Sequence, residues 1–366
     1  PLSEGAPYTL ATQSPGIVYT GDPNFNGPTA NGNLAGFRSN GTVGNQVNKS
    51  GGNVINLDGS PNLAYDGQVG FTPPSDATQQ FNVQTNTFDA QMGFTAGATV
   101  NVATRSGTNK FHGTAYLYNR DKSRTANNFF NNRAGLDRPE RKYNRYGFTV
   151  NGPIIKNKTF FMFSYERQND NVAQTTTYTV PTALMKQGNF SEILSTTPIY
   201  DPATAYNGNS TCGTTGTLNR VCRTAFAGNI IPTNRLYAPA LAFMQYFPDA
   251  NLPGLTDNYI TNQNLHRPYR SYLVRVDHKI SDSTNIFAKY YHSRNTEDRY
   301  NLTMEEGSIF QGFENRRNNG GNAGFTTMLT SKFIFDLRGS WSMFKLKRFQ
   351  EDQPTAADLG FTGIPT

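Results

Sequence analysis

The sequence lacks any long hydrophobic run. Of its 366 residues, 36% are hydrophobic, and the densest aromatic cluster is the short FFMF segment, Phe160 to Phe163. Since a transmembrane helix needs about 20 consecutive apolar residues, a helical membrane protein is excluded. A transmembrane β-barrel is not excluded, because each of its strands needs only about 10 alternating residues.

Catalytic and metal-binding patterns are also missing. None of the four histidines has metal-ligand spacing such as HxxxH or HExxH: His112, His266, His278 and His292. There is no nucleophile elbow, no phosphate-cradling glycine loop and no Cys-His pairing. The adjacent acids Glu305 and Glu306 are more typical of a solvated loop than of a general acid and base. The sequence therefore predicts no enzyme, no cofactor and no metal site.

Cysteine is scarce. The two cysteines, Cys212 and Cys222, lie in a segment rich in Asn, Thr and Gly. In the cytosol they would be two thiols in a mobile polar loop, whereas after export they would form a disulfide worth about 2 to 3 kcal/mol. We favour the disulfide, which indicates a location outside the cytoplasm. The chain opens at Pro1 without a leader, so we expect that a leader was removed or that the chain is a piece of something longer.

Concentrated charge of one sign is missing too. The net charge is +7, but the basic groups are dispersed in short clusters at Arg141–Arg145, Glu314–Arg317 and Lys345–Arg348. No basic stripe interleaves with an aromatic platform, so the sequence does not predict nucleic-acid binding. Solvated faces and loops account for these charges.

Glycine, proline, phenylalanine and tyrosine are plentiful, with 34, 20, 26 and 19 residues against one tryptophan. This composition favours many strands and many loops, and an all-β fold. Residues 1–108 contain short strand-like segments at Asn53–Gly59, Gln79–Asn86 and Ala98–Arg105, typical of a small domain.

Longer segments of period two begin at Phe111. Seven are predicted as strands: 111–119, 145–152, 159–168, 272–280, 285–294, 321–329 and 332–347. In the fourth, Tyr272 and Val274 share a face opposite Arg275; in the seventh, Leu337 and Trp341 share a face opposite Arg338. One face is apolar and the other is charged.

The connections between these strands alternate strictly in length. PIIKNK, SDST and TS are short, whereas the connections near 120–144, 169–270 and 295–320 are long, and a further long loop is expected at 348–366. Short turns at one end and long loops at the other are typical of an up-and-down outer-membrane barrel. A soluble sandwich has no reason to segregate loop length in this way.

Specific segments carry a family resemblance. They are DATQQFNVQTNTFDAQMGFTAGATVNVATRSGTNKFHG (76–113), NNFF (127–130), RYGFTVNGPIIKNKTFFMFSYE (145–166), VPTALMKQGNFS (180–191), IYDPAT (199–204) and GNIIPTNRL (228–236). Together they resemble the TonB-dependent outer-membrane receptors, specifically the large Oar-like kind with a carboxypeptidase-regulatory-like N-terminal domain that abounds in acidobacteria.

The resemblance implies a plug domain, here residues 1–108, inside a barrel of about 22 strands, with residues 109–366 forming about the first seven strands. The chain is then expected to be a fragment. LDG at 57–59 matches a strand-turn element of the plug. SGTNKFHG matches the plug-to-barrel junction through Ser106, Gly107, Thr108, Asn109, Phe111, His112 and Gly113, and we expect a turn here with Gly107 in a left-handed conformation. Relatives usually carry an acidic residue followed by aromatic-Gly-Arg where this chain has Gln91 to Phe94, which puts a plug-to-wall salt bridge there in doubt.

The resemblance also implies a location and partners. The chain would lie in the outer membrane of a Gram-negative bacterium, with its long loops extracellular and its plug and short turns periplasmic. Its partners would be outer-membrane lipid, the inner-membrane TonB complex through a segment absent here, and an unknown ligand: an oligosaccharide, peptide or metal chelate.

Ligand-contacting residues are not predicted individually. By location, 37–51 and 64–70 are candidate regions, and lumen-facing Arg275, Lys279 and Arg338 would favour an anionic solute or peptide. Aromatic residues near strand ends are candidates for interfacial girdles: Tyr118, Tyr143, Tyr146, Tyr291 and Trp341. Trp341 sits mid-strand, and the alternative for it is a lipid-facing position deeper in the bilayer. Two other functions stay open: an outer-membrane surface or adhesion protein without import, and a soluble β-rich carbohydrate-binding protein.

Overall fold

The computed structural model describes residues 7–19, 37–39, 53–64, 69–85, 97–127, 129–133, 138, 140–208, 220–298, 312–350 and 354–362. Contacts divide the chain into two units, one of residues 1–173, 264–300 and 313–349, the other of residues 174–263, 301–312 and 350–366.

The first unit contains a four-stranded sheet near the N-terminus. Its strands are β3 (Val54–Leu57), β4 (Ser60–Pro61), β5 (Thr78–Gln84) and β6 (Thr99–Thr104), in the order β4-β3-β6-β5. Two short strands that precede it, β1 (Ile17–Tyr19) and β2 (Phe37–Ser39), pair with each other. β3 and β6 run parallel. Their alternating apolar side chains, Ile55, Leu57, Val100 and Val102, are buried in the core of this unit.

The seven predicted strands form one antiparallel sheet. They are β7 (His112–Asp121), β8 (Arg141–Ile155), β9 (Thr159–Tyr178), β12 (Tyr259–Lys279), β13 (Thr284–Asp298), β14 (Gly312–Thr330) and β15 (Phe333–Gln350), neighbouring one another in chain order. Most extend well beyond the predicted bounds, since their polar outer halves still pair across the sheet. The connections at 156–158, 280–283 and 331–332 are short, and those at 122–140, 179–258 and 299–311 are long, which confirms the predicted alternation.

The two faces of this sheet differ in chemistry. Directly opposite residues of an antiparallel pair lie on the same face. One face, called here the apolar face, carries Leu117, Phe148, Val274 and Trp341. Val274 and Trp341 were predicted to lie on an apolar face. The other, called the polar face, carries Arg275 and Arg338 among other ionised groups. The predicted segregation of apolar and charged faces is confirmed.

Three of the four predicted girdle tyrosines lie on the polar face, so that part of the prediction is wrong. Tyr118 stands opposite Arg145, and Tyr143 and Tyr291 are buried. Adjacent positions in a strand point to opposite faces, and an aromatic residue near a strand end is equally compatible with either. Tyr146, opposite Leu117 in the register, does lie on the apolar face.

Short elements make up the connections. A 3-10 helix at Pro7–Gln13 precedes β1, and the helix α1 (Phe129–Arg133) follows β7. The second unit contains α2 (Ala183–Lys186), the paired strands β10 (Tyr206–Gly208) and β11 (Arg220–Cys222), and α3 (Ala238–Met244). Thr182 caps α2 by accepting a hydrogen bond from the Met185 N–H at 3.2 Å. Cys222 is buried, and Cys212 lies outside the described residues, so the disulfide stays a prediction.

Within the described part of the chain, no helix has the length and apolar character needed to span a bilayer.

Candidate functional site: an ion cluster on the polar face

The candidate site is built around the turn that joins β3 to β4. Leu57 pairs with Ser60, and Asp58 and Gly59 between them have positive φ values of 51° and 77°. A two-residue hairpin with both central residues left-handed is the type I′ turn, for which Asp-Gly is a favoured sequence. The LDG motif therefore sets a tight turn that presents the carboxylate of Asp58.

Asp58 is bound from its own sheet and from the seven-stranded sheet. Its carboxylate accepts hydrogen bonds from the Thr104 N–H at 2.8 Å and the Thr104 hydroxyl at 2.7 Å. It also accepts one from the Lys289 ammonium at 2.5 Å, and Arg275 Nη1 lies 3.5 Å from Oδ1. Thus one carboxylate of the small sheet faces two cations of the large one.

Side chains from four consecutive strands bind this turn. Besides Arg275 on β12 and Lys289 on β13, Asn322 on β14 donates to the Leu57 carbonyl at 3.4 Å and to the Ser60 hydroxyl at 3.3 Å. Arg338 on β15 donates to the Asp58 carbonyl at 3.2 Å. We call these four residues the cradle. They contact both the backbone and the side chains of the turn.

Electrostatics favour an ionised Asp58. Burial alone would raise the pKa of Asp58, but the charge of Lys289 and the hydrogen bonds from Lys289 and Thr104 outweigh it and hold the pKa below its ordinary value. The Lys289 side chain is 0% exposed, so its ammonium depends on this partner rather than on water.

An apolar contact supports the cradle. Phe71, between β4 and β5 in the chain, stacks on Tyr291 of β13 with ring centroids 4.5 Å apart and planes inclined by 25°. The side-chain amide of Asn62 fixes the Phe71 backbone: Nδ2 donates to the Phe71 carbonyl at 2.7 Å, and Oδ1 accepts from the Phe71 N–H at 2.9 Å. Leu273 joins the same buried cluster. The interface between the two sheets therefore combines one ion cluster with one aromatic stack.

A second buried polar network lies on β8 and β9. The guanidinium of Arg145, 4% exposed, donates to Glu166 at 2.9 and 2.5 Å, and the Tyr116 hydroxyl donates to the same carboxylate at 2.5 Å. Nearer the start of β8, the Arg141 guanidinium donates two hydrogen bonds to the Asp170 carboxylate, at 3.1 and 3.0 Å. These charges are paired within the sheet itself.

The junction motif adopts a different geometry from the predicted turn. Gly107 is not left-handed; instead, a Cβ there would lie 2.6 Å from the Phe161 carbonyl and 2.8 Å from that of Gly152. Glycine is required by close backbone approach rather than by φ. Asn109 anchors the segment by bonding to Asn157 in the β8–β9 turn, accepting from its N–H at 2.7 Å.

The remaining junction residues lie beside a polar cavity of about 520 Å³, which is lined by Ser106, Thr108, His112 and Gly113 together with Asp76, Gln79, Arg105, Thr114, Thr149 and Asn151. Asp76 crosses this cavity to accept a hydrogen bond from Thr114 at 3.2 Å. Phe111 packs against Phe161 instead, with ring centroids 6.3 Å apart.

Only some of the other candidates from the sequence lie at this site. Arg275 and Arg338 lie in the cradle, whereas Lys279 pairs with Asp282 in the β12–β13 turn at 2.8 Å. Residues 40–52, 65–68 and 86–96, which include most of the candidate ligand regions and Gln91 to Phe94, lie outside the described residues. In the described part, no group of three or more His, Cys, Asp or Glu side chains could hold a metal ion.

Sequence reasoning missed Lys289, Asn322 and Thr104. Alternation within one strand does not show which residues of the next strand share its face. The register of the β12–β13 hairpin sets Arg275 opposite Lys289 and so places both on one face. Counting outward along both strands from the SDST turn would have given that register.

Comparison with known proteins defines the class. Residues 103–366 match the family model described as the outer membrane beta barrel domain, and the chain belongs to this family. The predicted outer-membrane location is therefore confirmed, and the membership supports the prediction that the chain is not an enzyme.

One solved structure shows the same fold at low identity, and a second is similar at a lower score. The outer membrane transporter YddB from Escherichia coli matches with a TM-score of 0.56 and 11% identity over 96% of this chain and 38% of that one. A mutant of the ferric enterobactin receptor PfeA from Pseudomonas aeruginosa, in complex with enterobactin, matches with a TM-score of 0.49 and 10% identity over 95% of this chain and 39% of that one. The chain thus spans about two fifths of the length of these proteins. A search of the curated proteins found no match.

Proposed function

We propose that the chain forms the plug and the first barrel strands of a TonB-dependent outer-membrane receptor of the Oar-like kind. In this proposal residues 1–108 belong to the plug and residues 109–366 to the barrel wall, and the inner-membrane TonB complex drives uptake of a scarce ligand. The observation that carries the proposal is the cradle: a small, distinct sheet is held by an ion cluster on the polar face of four consecutive strands.

Orientation follows from the lengths of the connections. Outer-membrane barrels have short periplasmic turns and longer extracellular loops. The turns at 156–158, 280–283 and 331–332 would then face the periplasm, and the long connections would face the exterior.

The chemistry of the cradle suits a plug that must detach. An apolar interface would expose hydrophobic surface on separation, whereas charged and amide groups regain hydrogen bonds from water. Arg275 and Arg338 even keep a counter-ion when the turn leaves, since they bond Asp277 and Asp336 on their own strands at 2.8 Å. The docked state is held by specific bonds, and the separated state is tolerable.

The ligand class stays open among an oligosaccharide, a peptide and a metal chelate. Arg275 and Arg338 are engaged by the turn in this structure, so they favour an anionic ligand only in a state in which the plug has moved.

A reversible cross-link tests the proposal. Ser60 Oγ and Asn322 Nδ2 lie 3.3 Å apart, one on each sheet, so a Ser60→Cys and Asn322→Cys pair is chosen for an oxidative cross-link across the interface, and thiol titration first verifies that the disulfide forms. In the producing bacterium, uptake of labelled oligosaccharide, peptide and ferric-chelate pools is compared before and after a reductant. We expect uptake of one pool to require the energy-transducing complex, to stop in the oxidised double variant and to return on reduction.

The single variant Ser60→Cys is the control and should import normally in both conditions. Equal uptake by the oxidised and reduced double variant would contradict a plug that moves. Surface binding with no energy-dependent uptake of any pool would favour an adhesion protein, and recovery in the soluble fraction would remove the barrel assignment.

A further inference from the structure

The apolar face of the large sheet carries a groove across β12 to β15. Its floor is made of small side chains: Val276 stands opposite Ala288, Ala288 stands opposite Ala323, and Gly339 on β15 follows. The groove encloses about 440 Å³. The space above Gly339 is open, since a Cβ placed there would meet no atom within 4 Å.

Aromatic pairs rise on both sides of the floor. Tyr290 and Trp341 lie on one side with ring centroids 6.4 Å apart, and Phe325 and Phe335 lie on the other, also 6.4 Å apart. The result is a slot with an apolar floor and apolar walls, open to the membrane side of the sheet. Its apolar lining suits a hydrocarbon chain.

The groove fits within one leaflet. Val276 lies four residues before the turn that begins at Ile280, which corresponds to about 13 Å along the strand at roughly 3.3 Å per residue. Since barrel strands tilt by about 35–45°, this is about 10 Å along the membrane normal, less than the roughly 15 Å that one leaflet contributes to the hydrocarbon core. The groove therefore lies in the leaflet on the side of the short turns and opens towards them.

The turn end of the groove carries positive charge. The short turns and their borders contain Lys156, Lys158, Lys279 and Lys332; because Asp282 pairs with Lys279, the other three lysines carry the net positive charge. The Lys279 N–H donates to the Lys158 carbonyl at 2.7 Å, which brings two of these turns side by side. His278, which lines the groove, bonds Thr159 at 2.9 Å at this end. An anionic phosphate at the same level would be attracted to these lysines.

We propose that this groove is a binding site for one phospholipid, with an acyl chain along the small-residue floor and its phosphate at the lysine-bearing turns. The choice of phospholipid rests on the proposed orientation, which places the short turns in the periplasmic leaflet. The site is distinct from the cradle, because it lies on the opposite face of the same four strands.

Native mass spectrometry of the full-length protein, purified in mild detergent, tests this site. The probes are phosphatidylglycerol and phosphatidylcholine with identical acyl chains. We expect the protein to retain one phospholipid, and Gly339→Leu, which fills the open gap, to reduce its occupancy at least fivefold. The matched control is Ala115→Leu on β7, which adds a similar volume to the apolar face away from the groove. It should retain lipid as the parent protein does.

Headgroup recognition is tested separately. Replacing Lys156 and Lys158 with glutamine should remove the preference for phosphatidylglycerol over phosphatidylcholine and leave acyl-chain binding in place. Equal lipid occupancy in the Gly339→Leu and Ala115→Leu proteins, or retention of lipopolysaccharide in place of phospholipid, would overturn the proposal. Unboiled electrophoretic mobility verifies that each variant is folded.

The lipid site and the proposed transport function can fail independently. If Gly339→Leu keeps its lipid while the oxidised cross-link still blocks uptake, the lipid site is wrong and the receptor function stands. If occupancy falls in Gly339→Leu but the cross-link has no effect on uptake, the reverse holds.

Discussion

Replacing Asp58 with asparagine tests whether the ion cluster holds the small sheet on the large one. The change preserves the size of the side chain and an oxygen that accepts from the Thr104 N–H, which lies 2.8 Å from Oδ1. It removes the negative charge opposite Lys289, whose side chain is 0% exposed. The substitution therefore acts on the charge pair and leaves the turn geometry in place.

The expected cost follows from the burial of Lys289. Removing one partner of a buried ion pair typically costs about 3 to 5 kcal/mol, because an uncompensated charge stays behind. The matched control is Asp336→Asn: Asp336 pairs with Arg338 at 2.8 Å, but its side chain is 38% exposed. Solvent screens such a pair, and we expect a cost under about 1 kcal/mol.

Hydrogen exchange of the intact protein in detergent measures this difference. If the docked sheet opens locally before it exchanges, 3 to 5 kcal/mol corresponds to faster exchange by about two to three and a half orders of magnitude. The acceleration should appear in β3 and β6, and Asp336→Asn should change it less than tenfold. Equal exchange in the Asp58→Asn and Asp336→Asn proteins would refute the view that the buried pair fixes the small sheet.

Three further predictions concern the same interface and the junction. The pKa of Asp58 is lowered in the folded state, so the stability it contributes is complete above its unfolded pKa of about 4 and is lost as the pH falls through its lower folded pKa. Hydrogen exchange of β3 should therefore accelerate in that acidic range, and Asp58→Asn should weaken this pH dependence. Phe71→Ala should cost about 3 to 5 kcal/mol by thermal unfolding, since Phe71 is 1% exposed, with Phe81→Ala at a partly buried position costing less. Gly107→Val should reduce the heat-modifiable folded fraction because its Cβ would lie 2.6 Å from a carbonyl, whereas Gly339→Val in open space should not.

Much of the fold could be predicted, because the alternation within each strand and the lengths of the connections can be read from short stretches of sequence. Alternation set Val274 against Arg275 and Trp341 against Arg338, and the structure places each pair on opposite faces. The family resemblance likewise implied a strand-turn element at 57–59, and the left-handed φ of 51° at Asp58 agrees with it.

The candidate site could not be predicted in the same way. Asp58 and Lys289 are 231 residues apart, and alternation shows which face a residue occupies but not what covers that face. For the same reason Tyr291 was assigned to a membrane girdle, although Phe71 covers it. Gly107 shows a related limit: a glycine in a polar segment indicates either a left-handed residue or a close backbone approach, and only the neighbouring strand distinguishes them.

The cations of the cradle have unequal roles. Arg275 and Arg338 each bond an aspartate two residues along their own strand, so they remain compensated whether or not the turn is present. Lys289 instead bonds Asp58, at 2.5 Å, and must acquire water when the turn leaves. The strength of docking should therefore depend mainly on this one pair.

A double substitution follows from that reasoning. Lys289→Met removes the buried cation and leaves Asp58 with Thr104 and Arg275, so it should accelerate exchange of β3 less than Asp58→Asn does. Adding Lys289→Met to Asp58→Asn should return most of the lost protection, since replacing a buried pair with neutral groups is often close to neutral. If the changes in exchange free energy of the two single variants simply add in the double variant, the two residues act independently. The turn would then be held mainly by the other cradle contacts, from Arg275, Asn322 and Arg338.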